Sequence, residues 1–259
     1  MLTDLHEEFF MNYKPFPEEY WTQIEKTIFD LKKTQSELFA AFDADGTLWD
    51  IDLGENFFQY QIDQEQVPLP NDPFNHYLEM KKINNDPRSA YVWLAQINKN
   101  ITLSQVREWA QEAFNSVQPK PIFSEQQKLI NLLKKNNVNV YIVTASIKWA
   151  VEPGAIALGL DYDNVIGVET AIKNNIITDE PVYPITYKQG KVDALLAKTK
   201  SIKPFLASGN TMGDFELLSA ATDLQLAVSA ASRDDKLFKT EFELQEKAKS
   251  LGWLHHRFI

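Results

Sequence analysis

Asp43 and Asp45 stand two residues apart in the stretch Phe42-Asp-Ala-Asp-Gly-Thr-Leu-Trp49. In an extended chain, residues i and i+2 point to the same side. Two carboxylates would then lie side by side, and they repel unless a cation bridges them or one of them holds a proton. Both remedies suit phosphoryl transfer. One carboxylate attacks phosphorus, the other shuttles a proton, and a divalent ion screens the anions. Asp and Gly are also common turn residues, so Asp43 to Gly46 reads equally as an ordinary strand-ending turn. The rest of the chain has to decide.

Other polar groups fall at comparable places. Thr144 and Ser146 follow an apolar run, Val138 to Val143. Asn210 and Asp214 follow Phe205-Leu-Ala207, and Lys191 opens a helix. A phosphate monoester needs a nucleophile, donors for its equatorial oxygens, a cation and a proton donor for the leaving oxygen. Asp43 and Asp45 supply the first and last. Thr144 offers a hydroxyl, with Ser146 beside it, and Lys191 offers an ammonium. Asn210 and Asp214 offer oxygen ligands to a hard cation such as Mg²⁺. Each residue alone is an ordinary strand-end or surface residue. Their common position at strand tips and a helix start argues against coincidence.

The elements that must position them follow from the pattern. Leu38 to Phe42 is a short continuous apolar run, as a strand buried on both faces requires. Further strands are expected at Val138–Val143, Asn164–Val168, Phe205–Ala207 and Leu224–Val228, the last clear one. Helices alternate with them. One opens at Pro17, with Ile24, Ile28 and Leu31 on its apolar face. One is capped by Ser124-Glu-Gln-Gln127, one ends at Gly159, one begins at Gly190, and one runs from Asp235 to a stop at Gly252. Alternation predicts an α/β fold with a parallel sheet and helices on both faces. The strand tips then share one edge, where such sheets bind ligands. Residues 54–120 lack a convincing strand and carry helical spacing, including a capping box at Thr102. They read as a helical insert in a core made of 1–53 and 121–259.

Bulk composition narrows the classes. Net charge is −10 and the isoelectric point is about 5.0, which argues against a nucleic-acid binder. The chain has no cysteine, so disulfides, zinc–thiolate sites and thiol catalysis are excluded. No stretch approaches the roughly 18 apolar residues of a membrane span. The N-terminus lacks a secretory pattern. A soluble, cytoplasmic protein acting on a small phosphorylated metabolite is expected, with no call on oligomeric state.

Phe42-Asp-Ala-Asp-Gly-Thr-Leu-Trp49 resembles the first motif of the haloacid dehalogenase superfamily. Val143-Thr-Ala-Ser146, Gly190-Lys-Val192 and Gly209-Asn-Thr-Met-Gly-Asp214 resemble its second, third and fourth, in order. The arrangement is most similar to the phosphoserine phosphatase-like branch. The resemblance implies a Rossmannoid core, a helical cap over 54–120, and Mg²⁺-dependent hydrolysis through an aspartyl phosphate. Asp43 would be nucleophile and metal ligand. Asp45 would be general acid/base with its carbonyl on the metal, and Thr144, Ser146 and Lys191 would hold the phosphoryl group. Asn210 and Asp214 are the remaining candidate metal ligands, although Asn210 and Gly213 depart from the usual Asp and Asn. Asn210 would give a carbonyl oxygen with one charge lost, and Asp214 would either orient Lys191 or compensate at the metal. An acid at position 45 disfavours a dehalogenase. For the leaving group, the resemblance points to Asp52 and Arg88. Glu55 is a neighbouring acid, and Trp49, Tyr91 and Trp93 could wall a cationic head. Candidate substrates are phosphoserine, phosphocholine and phosphoethanolamine. Transfer to an acceptor other than water, and a non-catalytic member that binds a phosphorylated ligand or a protein, remain alternatives. No role falls to the histidines, and His255-His256 reads as a surface tail.

Overall fold

The structure, a computed structural model, describes residues 13–259. The part of the expected core before residue 13, including His6, lies outside the described residues. Six strands form one wholly parallel sheet. They are β1 (Phe39–Phe42), β2 (Asn139–Ile147), β3 (Val165–Val168), β6 (Leu206–Gly209), β7 (Leu224–Ser229) and β8 (Leu254–Arg257), in spatial order β3-β2-β1-β6-β7-β8. All four residues of β1 are buried, as a strand with neighbours on both edges and helices on both faces requires. The chain leaves β1 towards β2 on one side and reaches β6 on the other. The residue after β1 therefore sits at the switch point where open α/β sheets bind ligands.

Helices α1 (Glu18–Leu31), α6 (Ser124–Lys135), α7 (Lys148–Ala157), α8 (Gln189–Lys198), α9 (Phe215–Ala220) and α10 (Phe238–Leu251) belong to this part. Gly159 and Gly252 take φ of 73° and 71° just beyond α7 and α10, the left-handed stop expected of glycine. Ser124 does not cap α6. Phe123 precedes the helix without a side-chain cap, and Glu125 instead accepts the Phe16 backbone N–H at 2.9 Å.

Between β1 and β2 lie α2 (Leu53–Asp63), α3 (Pro73–Met80), α4 (Arg88–Gln96) and α5 (Leu103–Ser116). Thr102 caps α5 by accepting the Gln105 N–H at 3.2 Å. The apolar cluster of these helices includes Phe57, Phe58 and Leu94, and also Ile147, Trp149, Val168 and Ile177 from outside 54–120. Arg107 on α5 makes a two-pronged ion pair with the buried Glu152 of α7, at 2.7 and 2.8 Å.

Three strands escape the sequence reading. The antiparallel hairpin β4 (Thr170–Lys173) and β5 (Ile176–Pro181) turns at Asn174-Asn175, with φ of 52° and 64°. Asparagine tolerates that conformation best after glycine. The expected tail at His255-His256 is instead the edge strand β8. His256 is buried, its Nε2 lies 3.0 Å from the Lys14 carbonyl, and Phe16 and Phe258 meet its ring edge-on. Among the described residues, no helix is long and apolar enough to cross a membrane.

Candidate active site

Asp43 directly follows β1, and its N–H bonds the Ser208 carbonyl of β6 at 2.9 Å. Asp45 comes next but one, and Gly46 turns the chain at φ 76°. A Cβ at Gly46 would lie 2.0 Å from Asn210 Nδ2, so only glycine lets the two loops meet here. Lys191, in the first turn of α8, places its ammonium 2.5 Å from Asp43 Oδ1 and 2.6 Å from Asp214 Oδ1. Asp214 is held in turn by the backbone N–H groups of Asn210 and Thr211 on Oδ2, at 3.2 and 3.0 Å. Burial alone would depress the lysine. The Asp214 and Asp43 carboxylates outweigh it and hold the ammonium above the ordinary lysine range.

The two aspartates sit in different surroundings. Burial pushes Asp43 up to about 6, assisted by Asp214 and opposed by Lys191. Its Oδ2 accepts the Thr47 hydroxyl at 3.1 Å. Burial raises Asp45 further, to about 8, with the Asp52 carboxylate adding to it. Trp49 Nε1 and Leu53 N donate to Asp45 Oδ1 at 2.7 and 2.9 Å, and the Ser146 hydroxyl lies 2.6 Å from Oδ2. Two neighbouring acids with separated pKa values suit an ionised nucleophile and a protonated general acid.

Asp43, Asp45, Thr144, Ser146, Lys191, Asn210 and Asp214 all border one cavity of about 520 Å³. Thr144 is buried. Its Oγ1 accepts the Ser146 N–H at 3.0 Å, leaving its own proton for a ligand. The strand β2 runs past Val143 through both residues, and its register against β3 shifts between Val143 and Ile147. Ser146 itself faces Asp45, so its closest partner is the acid.

The same cavity is also lined by Asp52, Glu55, Lys81 and Lys236, with Tyr77, Tyr91 and Tyr187. Asp52 also caps α2 by accepting the Glu55 N–H at 2.7 Å. Burial and the Glu55 carboxylate raise its pKa. Burial would raise Glu55 as well. Lys81 and Lys236, at 3.2 and 3.0 Å, outweigh it and pull the carboxyl below its usual range. The Lys81 ammonium also lies 5.0 and 5.8 Å from the Tyr77 and Tyr91 ring centroids.

Three expected leaving-group residues stand elsewhere. Arg88 is exposed and borders a separate surface groove with Trp93. Asp86, two residues before it, takes its guanidinium with contacts of 2.6 to 2.9 Å. Trp93 packs edge-on against Phe58. Trp49 is buried and gives its indole N–H to Asp45, so it serves the acid and walls no head group. Of the expected aromatic wall, Tyr91 alone borders the cavity. Tyr77, Tyr187, Lys81, Lys236 and Glu241 were not foreseen. They come from distant segments, and no spacing in the chain marks them.

Magnesium is a hard cation that prefers oxygen. Among the described residues, no three His, Cys, Asp or Glu side chains form a ready metal cluster. The donors here are mixed: Asp43 and Asp214 carboxylates, the Asn210 carboxamide oxygen and the Asp45 carbonyl. Eight acidic residues line the cavity against three lysines. Three of these acids, Asp43, Asp214 and Glu241, are buried, and such an excess of acid favours a bound cation, so the donor set fits Mg²⁺.

Residues 40–219 match the haloacid dehalogenase-like hydrolase family, and the chain belongs to it. It is 24% identical over 208 residues to a protein named phosphorylcholine phosphatase from Pseudomonas aeruginosa, covering 65% of this chain and 59% of that one. It therefore spans about three fifths of that relative's length. Its fold is similar to a conserved, functionally unknown protein from Anaerococcus prevotii, with a TM-score of 0.71, 15% identity and 97% of both chains covered. It is also similar to a phosphoserine phosphohydrolase-like protein from Francisella tularensis, with a TM-score of 0.50, 16% identity, and 74% and 87% covered. The α/β fold is thus shared with a phosphoserine phosphohydrolase-like protein.

Proposed function

We propose that this hydrolase is a Mg²⁺-dependent phosphatase acting on the phosphate monoester of a small amino alcohol. The observation that carries the reading is the buried line Asp43–Lys191–Asp214, with Asp45 beside it and far less acidic than an ordinary aspartate. Asp43 attacks phosphorus, the bond to the leaving oxygen breaks, and Asp45 gives that oxygen its proton. Asp45 then takes a proton from water as the water attacks the aspartyl phosphate. Phosphate leaves and Asp43 is regenerated. Thr144 and Lys191 hold the equatorial oxygens. Mg²⁺, held by Asp43, Asp214, Asn210 and the Asp45 carbonyl, would neutralise charge on the phosphoryl group.

The leaving group faces Asp52, Glu55, Lys81 and the tyrosines that line the same cavity, and we read α2 to α4, which bring most of them, as a cap over the site. Asp52 and Glu55 next to three tyrosines make an acidic, aromatic surround of the kind that receives alkylammonium groups. Lys81 already places an ammonium against two of these rings. The name of the Pseudomonas relative supports phosphocholine, and phosphoethanolamine shares its chemistry. A second reading rests on Lys81 and Lys236, which could receive a carboxylate and so favour phosphoserine. Phosphate release with Mg²⁺, measured over phosphocholine, phosphoethanolamine and phosphoserine, tests both. Turnover of none of a broad phosphate panel refutes the phosphatase and leaves a binding protein. Transfer to added alcohols in place of release identifies a phosphotransferase.

A further inference from the structure

Glu241 lies in the first turn of α10, is buried, and borders the cavity without touching either reacting aspartate. Its Oε2 accepts the backbone N–H groups of Ala230 and Ala231 at 3.0 and 2.9 Å, just beyond β7. Its Oε1 accepts Asn210 Nδ2 at 2.9 Å. A carboxylate only accepts hydrogen bonds, whereas a carboxamide has one donating end and one accepting end. The contact therefore fixes which end of Asn210 faces which way. Nδ2 is turned to Glu241, and Oδ1 is turned inward, 3.3 Å from the Thr47 hydroxyl that also bonds Asp43. The missing side chain at Gly46 leaves room for this orientation and for Nδ2 itself.

We propose that Glu241 is a positioning residue that locks the Asn210 carboxamide with its oxygen towards Asp43, so that a neutral residue can serve as a cation ligand. The inference rests on the reading that this site holds a divalent cation. The negative charge that an aspartate at 210 would bring sits one residue further out, on Glu241. The pair is thus reciprocal. Asn210 with Glu241, and Asp with Gln at the same positions, present one hydrogen bond with donor and acceptor exchanged and the same net charge. With Asn210 and Gln together, the two backbone N–H groups keep the glutamine oxygen. Its Nε2 then meets Asn210 and turns the asparagine NH₂ towards Asp43.

Calorimetric titration of metal-free protein with MgCl₂ tests this, with thermal melting as the check on folding. Glu241→Gln weakens Mg²⁺ binding by about tenfold or more, the size typical of losing a group that orients a ligand. Asn210→Asp combined with Glu241→Gln restores it to within roughly threefold of the original. A purely structural role for Glu241, holding the Ala230–Ala231 backbone, would give no such rescue. Glu241→Gln binding Mg²⁺ as well as the unaltered protein, or a double variant no better than the single one, overturns the pairing alone. If Glu241→Gln does not fold, the double variant decides, and its failure to bind overturns the proposal. Unaltered protein that binds no Mg²⁺ overturns both the pairing and the cation reading.

Discussion

The Lys191 ammonium lies 2.5 Å from Asp43 Oδ1, deep in the protein, with Asp214 as its other partner. The contact aligns the carboxylate and places a positive charge where phosphoryl oxygens would arrive. Asp43→Asn keeps the size of the side chain but removes the nucleophile. Mg²⁺-dependent release of nitrophenol from an aryl phosphate should fall by at least about 10³-fold. Undiminished release would refute the nucleophile.

The same contact bears on stability. Lys191→Met leaves two buried carboxylates facing each other without a cation. Breaking one partner out of a buried ionic cluster costs about 3–5 kcal/mol. Urea unfolding of the metal-free protein should show a loss of that order, and an unchanged midpoint would contradict the account.

Asp45 titrates at about 8 and is therefore protonated at neutral pH. Acid assistance is lost as pH rises through that value. Alkyl phosphates, whose leaving oxygen needs the proton, should lose kcat/KM there, and aryl phosphates with good leaving groups should lose much less. The Trp49 N–H favours the charged carboxylate, so Trp49→Phe should move the alkaline limb to higher pH. A limb that stays in place, read from pH profiles of both substrate types, would remove Trp49 from this role.

Lys81 fills the surround formed by Glu55, Tyr77 and Tyr91. Lys81→Ala frees it for a substrate cation. KM for phosphocholine should fall by roughly threefold, the scale of one exposed cation–π contact. KM for phosphoserine should rise. A KM for phosphocholine that does not fall, beside a raised KM for phosphoserine, would favour the amino-acid reading.

Arg88 is taken up by Asp86 and faces away from the cavity. Arg88→Ala should leave kcat/KM for both substrates within about twofold, as exposed pairs contribute little. A larger loss for phosphoserine alone would mean that the side chain reaches the site during turnover.

The seven polar residues expected at strand tips and at a helix start were legible because the strand period and the parallel sheet decide where they go. An apolar run ending in Asp43 fixes a buried strand and its tip, whatever else the chain does. The misses have local causes. Leu254–Arg257 carries two histidines and an arginine, so it lacks an apolar pattern. Its edge position and its contacts with Lys14 and Phe16 supply the burial, from more than two hundred residues away. The hairpin at Thr170–Pro181 is short and half exposed, and only Asn174-Asn175 signals it. Arg88 found a partner two residues away that spacing does not reveal. Glu241 and Asn210 meet across 31 positions, and neither residue type announces the other.

Asp43 stands just beyond a strand walled in by two neighbouring strands and two layers of helix, while much of the remaining cavity lining comes from residues between Asp50 and Leu94 and from the approach to α10. The two meet at residues 52 and 53, where the Asp52 carboxylate raises Asp45 and the Leu53 N–H bonds it. Drift at Lys81 or Tyr91 leaves those two contacts in place, whereas drift at 52 or 53 would retune the acid as well.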